Sequence, residues 1–209
     1  MLSSPGFNVR LMCEEDRIHV LNLLVSSFFR DEPLAKCLQV KEPIDFANNV
    51  ISDALNDQCS FVAYDLQTNR LAGVCLNEVK YKTDTNIIHE SNEKIYFILH
   101  LLDHMHKDIN LFDHLLTNSL LHIFIINVDN NYRGNGLASS LIAASIQHAK
   151  TFNIGGAYAE ATNTYSLNSF TRQGFQIYHQ LNYVEYDQVR LADLTDKNND
   201  ECQLVARIL

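Results

Sequence analysis

The sequence predicts an α/β fold in which one mixed sheet carries helices on both faces. Three observations lead there. Stretches with strand periodicity and stretches with helical periodicity follow one another along the whole chain. The stretch "LLHIFIINV" is apolar and β-branched enough to form a strand buried on both sides. The 209 residues, 46% of them hydrophobic, contain no internal repeat, low-complexity tract or linker. A chain of this size buries a substantial core, so one domain spanning residues 1–209 is expected.

Each element has its own justification. "FNVRLMCEED" alternates like a strand and ends in an acidic cluster that can open a helix at Asp16. "RIHVLNLLVSSFF" repeats apolar residues at helical spacing through Ile18, Leu21, Leu24, Val25 and Phe28, the expected buried face, until Pro33 stops it. "IDFANNVISDALND" reads as an amphipathic helix, and "CSFVAYDLQTNRLAGVCLNEVKY" as a hairpin turning at Gln67 to Asn69. From Ser91 to Asp108 the apolar positions Ile95, Ile98, Leu99, Leu102 and Met105 predict a helix, which precedes the apolar strand. "LASSLIAASIQHAKTF" is then a helix, "GAYAEA" a short strand and "SLNSFTRQ" a short helix. "FQIYHQLNYVEY" and "CQLVARIL" read as late strands.

Charge and composition narrow the function. A formal charge of -9 and a pI near 5.4, with no run among the sixteen Lys and Arg, argue against a nucleic-acid partner, whose phosphates demand clustered cations. No segment approaches the roughly 20 apolar residues that span a bilayer, and "MLSSPGFNVRLMCEED" lacks a basic region followed by an apolar one. A soluble, cytoplasmic protein is expected. Cys13, Cys37, Cys59, Cys75 and Cys202 are scattered, with no Cys-x-x-Cys pair, and read as reduced thiols.

The chemistry concentrates where the apolar strand gives way to Arg133-Gly134-Asn135-Gly136-Leu137-Ala138-Ser139 and a helix begins. The first N–H groups of a helix have no intrahelical acceptor, glycines let an anion approach the backbone, and the helix dipole favours negative charge. A diphosphate fits such a loop. A P-loop is excluded, because the Gly-Lys-Ser/Thr ending is missing. A dinucleotide fingerprint is nearer, with Gly134 and Gly136 in place and Glu160 available as a ribose acceptor, yet its third glycine is Ser139 and the unit does not open the chain. An empty glycine turn leaves both glycines and the arginine unexplained.

"YRGNGLASSLIAASIQHAK" resembles motif A of the GNAT acetyltransferases, Arg/Gln-x-x-Gly-x-Gly/Ala, with Ala138 in the last position. "NTYSLNSFTRQGF" is similar to motif B of the same superfamily through Asn163, Ser166 and Gly174-Phe175. "SSFFRDEPL", "LLDHMHKDINLFD" and "NVDNNYRGNGLA" together resemble the insect-type arylalkylamine N-acetyltransferases over essentially the whole chain. The resemblance implies a largely antiparallel mixed sheet of about seven strands flanked by helices. It also implies acetyl-CoA as cosubstrate, bound by the loop Arg133 to Ser139 with Asn163, a small amine as acceptor, and no metal.

Acetyl transfer from a thioester to an amine requires a neutral nucleophile, a site for the oxyanion and a proton for the departing thiolate. An alkylammonium with a pKa near 10.4 is protonated at neutral pH, so a carboxylate must draw the cation in and take its proton. The resemblance places Glu32 in that role; Asp31 or Glu32 acting only as a helix cap before Pro33 is the alternative. It places the oxyanion donor at about the Val128 N–H, where the motif A strand splays from its neighbour. The tyrosine that many GNAT enzymes use as acid is here Phe170, and the matching hydroxyl pair of the subfamily is Thr162 and Ser166. Tyr165 is an alternative acid, and Ser166 can also be read as a helix cap.

Two further features point less sharply. His100 and His104 have the spacing of zinc ligands, with His106 nearby, but no carboxylate or cysteine motif completes a site. The eleven Phe and nine Tyr are core by default, while Phe28 or Phe29 beside Glu32 can line an aromatic-amine pocket. An arylalkylamine such as dopamine, tyramine or serotonin is the expected acceptor. A polyamine or other small amine, a longer acyl donor, and a non-catalytic acyl-CoA sensor remain alternatives, and the oligomeric state is not legible.

Overall fold

The computed structural model describes residues 6–85, 88 and 90–209; residues 1–5, where the reading of the N-terminal segment begins, lie outside the described residues. The chain runs β1 (Phe7–Leu11), α1 (Arg17–Leu23), a π-helical turn (Leu24–Phe28), α2 (Phe29–Asp31), α3 (Pro33–Cys37) and α4 (Ile44–Asn56). The hairpin β2 (Phe61–Asp65) and β3 (Leu71–Tyr81) follows, then α5 (Glu93–His104), α6 (Leu111–His114) and β4 (Ser119–Val128). The last part is α7 (Leu137–Thr151), β5 (Gly156–Ala161), α8 (Thr164–Thr171), β6 (Gln176–Asn182), α9 (Tyr183–Tyr186) and β7 (Glu201–Ile208).

The strands form one seven-stranded sheet in the order β1-β2-β3-β4-β5-β7-β6. Every pairing is antiparallel except β4 with β5, which is parallel and short: it joins Leu120–His122 to Gly156–Tyr158 and stops. Beyond that point β4 continues to Val128 and β5 to Ala161 with no ladder between them. A notch therefore opens in the middle of the sheet at the ends of these two strands.

Alternation of side chains decides which face each strand residue serves. Phe61 and Ala63 of β2 join α7 residues Leu137, Leu141, Ile142 and Ile146 in one core, while Val62 between them joins Val20, Leu24, Val50 and Ile51 on the other face. A third cluster, around Leu34, Leu101, Met105, Tyr183 and Leu204, covers that second face beyond the notch. Inside the sheet, the Asn77 amide donates to the Cys59 carbonyl oxygen at 2.6 Å and to Ser145 Oγ at 2.9 Å, so this buried amide fastens β3 to α7.

Several expectations need correction. Ile18 is 57% and Val25 38% exposed; Leu24 of the expected stripe is buried, but its buried companions on the first helix are Val20, Leu23 and Ser27. The helix expected over Ser91 to Asp108 spans Glu93–His104, because Asn92 caps it by accepting from Lys94 and Ile95, and a separate turn of helix follows at Leu111. The strand read into "FQIYHQLNYVEY" ends at Asn182, whose side chain caps α9 by accepting from Val184 and Glu185. In both places an Asn side chain satisfies the backbone N–H groups that a helix start leaves open.

Candidate active site

A cavity of about 840 Å³ opens at the notch. One side is walled by Phe28, Phe29, Phe46 and Phe124 with Ile95, Ile98 and Leu102; the other by the loop from Tyr132 to Ser139 and by Thr162, Asn163 and Ser166 after β5. Of the residues expected in the site, Glu32, Thr162, Ser166, Val128, Arg133, Gly134, Gly136, Leu137, Ala138, Ser139 and Asn163 line it. Asn135 does not; its side-chain amide turns back to the Tyr132 carbonyl oxygen at 3.1 Å.

The glycine loop presents backbone donors. Gly134 and Gly136 have φ of 82° and 71°, a region in which any larger residue is strained. Gly136 is the N-cap of the fifteen-residue α7 and supplies no side-chain cap, so the first N–H groups of that helix are open. A Cβ added at either glycine would meet no protein atom within 4 Å. The space over the loop is thus left for something outside the chain. Arg133 is engaged differently from the expectation: its Nε donates to the Val128 carbonyl oxygen at 3.0 Å and its Nη2 to Asp31 Oδ2 at 2.9 Å. Its side chain joins the loop to the segment that carries Glu32.

The ladder fixes which way the Val128 N–H points. The Asp129 N–H donates to the Ala72 carbonyl oxygen at 2.9 Å, so by the alternation of an antiparallel pair the Val128 N–H points away from β3. That direction faces the notch, where β5 has already parted from β4.

Glu32 is both cap and buried acid. Its extended backbone makes it the N-cap of α3, with Pro33 in the first turn, and Oε2 accepts from the Ala35 N–H at 2.6 Å. Oε1 is buried with no hydrogen-bond partner among the described residues. Burial raises the carboxyl pKa above its ordinary value; the Ala35 N–H, the Thr162 side chain and the Leu34 N–H oppose this more weakly. Asp31, next to it, is held down to about 2 by its bond to Arg30 and, against the effect of burial, by its bond to Arg133.

On the acid side, Ser166 Oγ donates to the Asn163 carbonyl oxygen at 2.9 Å, and the Asn163 side chain caps α8 by accepting from the Ser166 N–H at 2.9 Å. The cap is Asn163, not Ser166. Phe170 is 1% exposed and packs on Phe175 with ring centroids 5.2 Å apart, so a core ring occupies the place of the usual tyrosine. Tyr165, 70% exposed, lines the cavity.

Sequence reasoning missed a buried cluster. Glu160 is clamped at both oxygens, Oε1 by His106 Nε2 at 2.5 Å and Oε2 by His122 Nε2 at 2.8 Å. Burial alone would raise its pKa, but the two histidines hold it well below the carboxylate range. Glu160 is therefore taken up within the protein, which removes the ribose-acceptor role weighed for it. The three partners come from β4, β5 and the turn after α5, so only strand pairing could reveal them. His100 and His104 pack on Tyr96 and Tyr186, and among the described residues no group of His, Cys, Asp and Glu is placed to hold a metal.

Comparison with solved structures finds the same architecture elsewhere. Arylalkylamine N-acetyltransferase 2 from Aedes aegypti superposes with a TM-score of 0.87 at 24% identity, covering 97% of this chain and 99% of that one. A polyamine N-acetyltransferase of Drosophila melanogaster, an enzyme that forms N-acetylagmatine, gives a TM-score of 0.75 at 19% identity, over 97% and 100% of the two chains. The C-terminal condensation domain of Ebony, in complex with β-alanyl-dopamine, gives 0.81 at 17% identity over 100% of each. At these identities the likeness is one of fold. The acetyltransferase (GNAT) family model matches residues 19–175, well over half of the chain. With a splayed β4–β5 pair, an uncapped glycine loop at the start of α7 and this match, the chain belongs to the GNAT acetyltransferase family.

Proposed function

We propose that this chain, acting as one domain over residues 1–209, transfers acetyl from acetyl-CoA to the primary amine of an arylalkylamine of the dopamine, tyramine and serotonin class. The observation that carries the reading is Glu32: a buried carboxylate with an unpartnered oxygen, at the edge of an apolar and aromatic wall. An alkylammonium drawn to it loses a proton to Oε1, directly or through water, and the freed lone pair attacks the thioester carbonyl carbon. The N–C bond forms as the electron pair moves to oxygen, where the Val128 N–H meets it. The pair then returns, the C–S bond breaks, and the proton that the nitrogen still sheds is relayed through the Ser166 or Thr162 hydroxyl to the thiolate, so the hydroxyl ends protonated. Coenzyme A thiol has a pKa near that of Cys, about 8.5, so a weak hydroxyl donor suffices. The balance is one ammonium and one thioester in, one amide, one thiol and one proton out.

The backbone donors of the glycine loop suit the pyrophosphate of the donor. The choice of acceptor rests on charge. Three carboxylates line the cavity, Asp31, Glu32 and Glu160. Asp31 is paired with Arg30 and Arg133, and Glu160 with His106 and His122. One carboxylate remains for a cation, and the wall around it is aromatic. That suits a monoamine with a ring and leaves the second ammonium of a polyamine unmatched. The five free thiols suit a reducing compartment, the cytoplasm.

The test is thiol release from acetyl-CoA with a panel of amines. Tyramine, dopamine and serotonin are expected to turn over with kcat/KM at least tenfold above spermidine and agmatine. Polyamines preferred over all three would overturn the acceptor class, and acetyl-CoA binding without turnover on any amine would make the chain a sensor.

A further inference from the structure

The notch contains one buried amide that the fold does not use. Asn127 is 6% exposed and lines the cavity, yet among the described residues its Nδ2 has no hydrogen-bond partner. Among the described residues its side chain has one hydrogen bond, and a long one: Ser27 Oγ donates to Oδ1 at 3.4 Å. Asn77, the other buried asparagine of the sheet, has Nδ2 bonded twice. An unmet buried donor keeps its full desolvation penalty, and buried polar groups in folded proteins are as a rule paired.

The position of the amide says what it is for. Asn127 lies on β4 beyond the last residue paired with β5, next to Val128, whose N–H faces the notch. Its side chain leaves the sheet on the face of Ser27, which sits in the π-helical turn Leu24–Phe28 immediately before Phe28, Phe29 and Glu32. The amide thus stands between the backbone donor and the amine chamber. π-Helical turns are frequent at functional sites, and this one buries a serine, 3% exposed, against the amide.

We propose that Asn127 is a catalytic residue of the acyl-transfer step: with Oδ1 held by Ser27, Nδ2 donates to the carbonyl oxygen of the bound thioester, as a second oxyanion donor beside the Val128 N–H. This rests on the acetyl-transfer reading above. A donor cannot serve the ammonium, so its ligand atom is an acceptor, and the thioester oxygen is the acceptor on which charge grows. The amide has no titration near neutral pH, so its effect is the same at every pH at which the protein is folded.

Asn127→Ala and Ser27→Ala test this against wild type, with turnover across pH and with affinities for CoA and acetyl-CoA measured separately. Asn127→Ala is expected to lower kcat on the order of 10²-fold, equally at pH 7 and pH 9, to leave CoA affinity unchanged and to keep or raise the melting temperature. Ser27→Ala, which only frees the amide to turn, should lower kcat less. Wild-type turnover in Asn127→Ala overturns the inference, as does an equal loss of affinity for CoA and acetyl-CoA, which marks a groove that has merely deformed. A wild-type chain that binds acetyl-CoA but acetylates no amine overturns the acetyl-transfer reading itself, and the role of Asn127 with it.

Discussion

Glu32 illustrates how one residue serves two ends. Its Oε2 caps α3, which a helix start after Pro33 requires, while Oε1 is left buried and unbonded. The cap was legible from Asp-Glu-Pro; that the capping side chain also keeps a buried, unbonded oxygen among the described residues needed the structure. Because burial raises its folded pKa, Glu32 favours the folded state while protonated and opposes it increasingly as pH rises through that pKa. Glu32→Gln should therefore keep its melting temperature at pH 7 or gain, since a glutamine oxygen can still cap. Turnover should fall 10²-fold or more and recover in part at high pH, where free amine is abundant. A melting temperature several degrees lower, with kcat intact, would reduce Glu32 to its cap. Asn127 shows the other limit of sequence: an orphaned donor is defined by what fails to surround it, and no spacing in "IINVD" announces that.

At the level of elements, the first helix shows why a periodicity can select the wrong face. The stripe that is buried, Val20, Leu23, Leu24 and Ser27, has helical spacing but ends in a serine. The stripe read from the sequence, Ile18, Leu21, Leu24, Val25 and Phe28, shares Leu24 with it but is wholly apolar and so reads as the better core. Ser27 breaks the hydrophobic pattern because it meets Asn127, so the misreading falls at the site itself. The start of α7 was legible for the opposite reason: glycines at positive φ followed by a helix have a local meaning that packing does not alter. Gly136→Val follows as a test. Valine is strained at φ 71° and places its methyl groups where a phosphate would approach, although no protein atom lies within 4 Å. Acetyl-CoA affinity, measured by calorimetry on folded protein, should fall at least tenfold with the amine site unaltered. Unchanged affinity would mean that the loop holds no anion.

Across the whole molecule, the two halves of the sheet meet at one short parallel pairing, so the notch depends on both halves standing firm around it. The half that carries β1 is held at its outer edge by Asp16. This carboxylate, 2% exposed, takes two bonds of 2.7 Å from Arg10 on β1 and one of 2.8 Å from the Tyr64 hydroxyl on β2, at the entry to α1. Burial would raise its pKa, but the Arg10 pair, the Cys13 N–H and the Tyr64 hydroxyl outweigh it and hold the group at about 2, against 3.8 ordinarily. A depressed folded pKa contributes stability that is fully present above the unfolded value and is lost as pH falls through the folded one. The window is therefore pH 4 down to pH 2. Glu160 is lowered in the same sense by its two histidines. Asp16→Asn should accordingly unfold at a lower urea concentration than wild type at pH 7, where it lacks the charged pair with Arg10. The deficit should shrink steadily between pH 4 and pH 2, as the wild-type carboxyl takes up its proton and loses the same interaction. A deficit that stays constant across that range would assign the effect to packing at the entry to α1 and leave the ion pair without a part in stability.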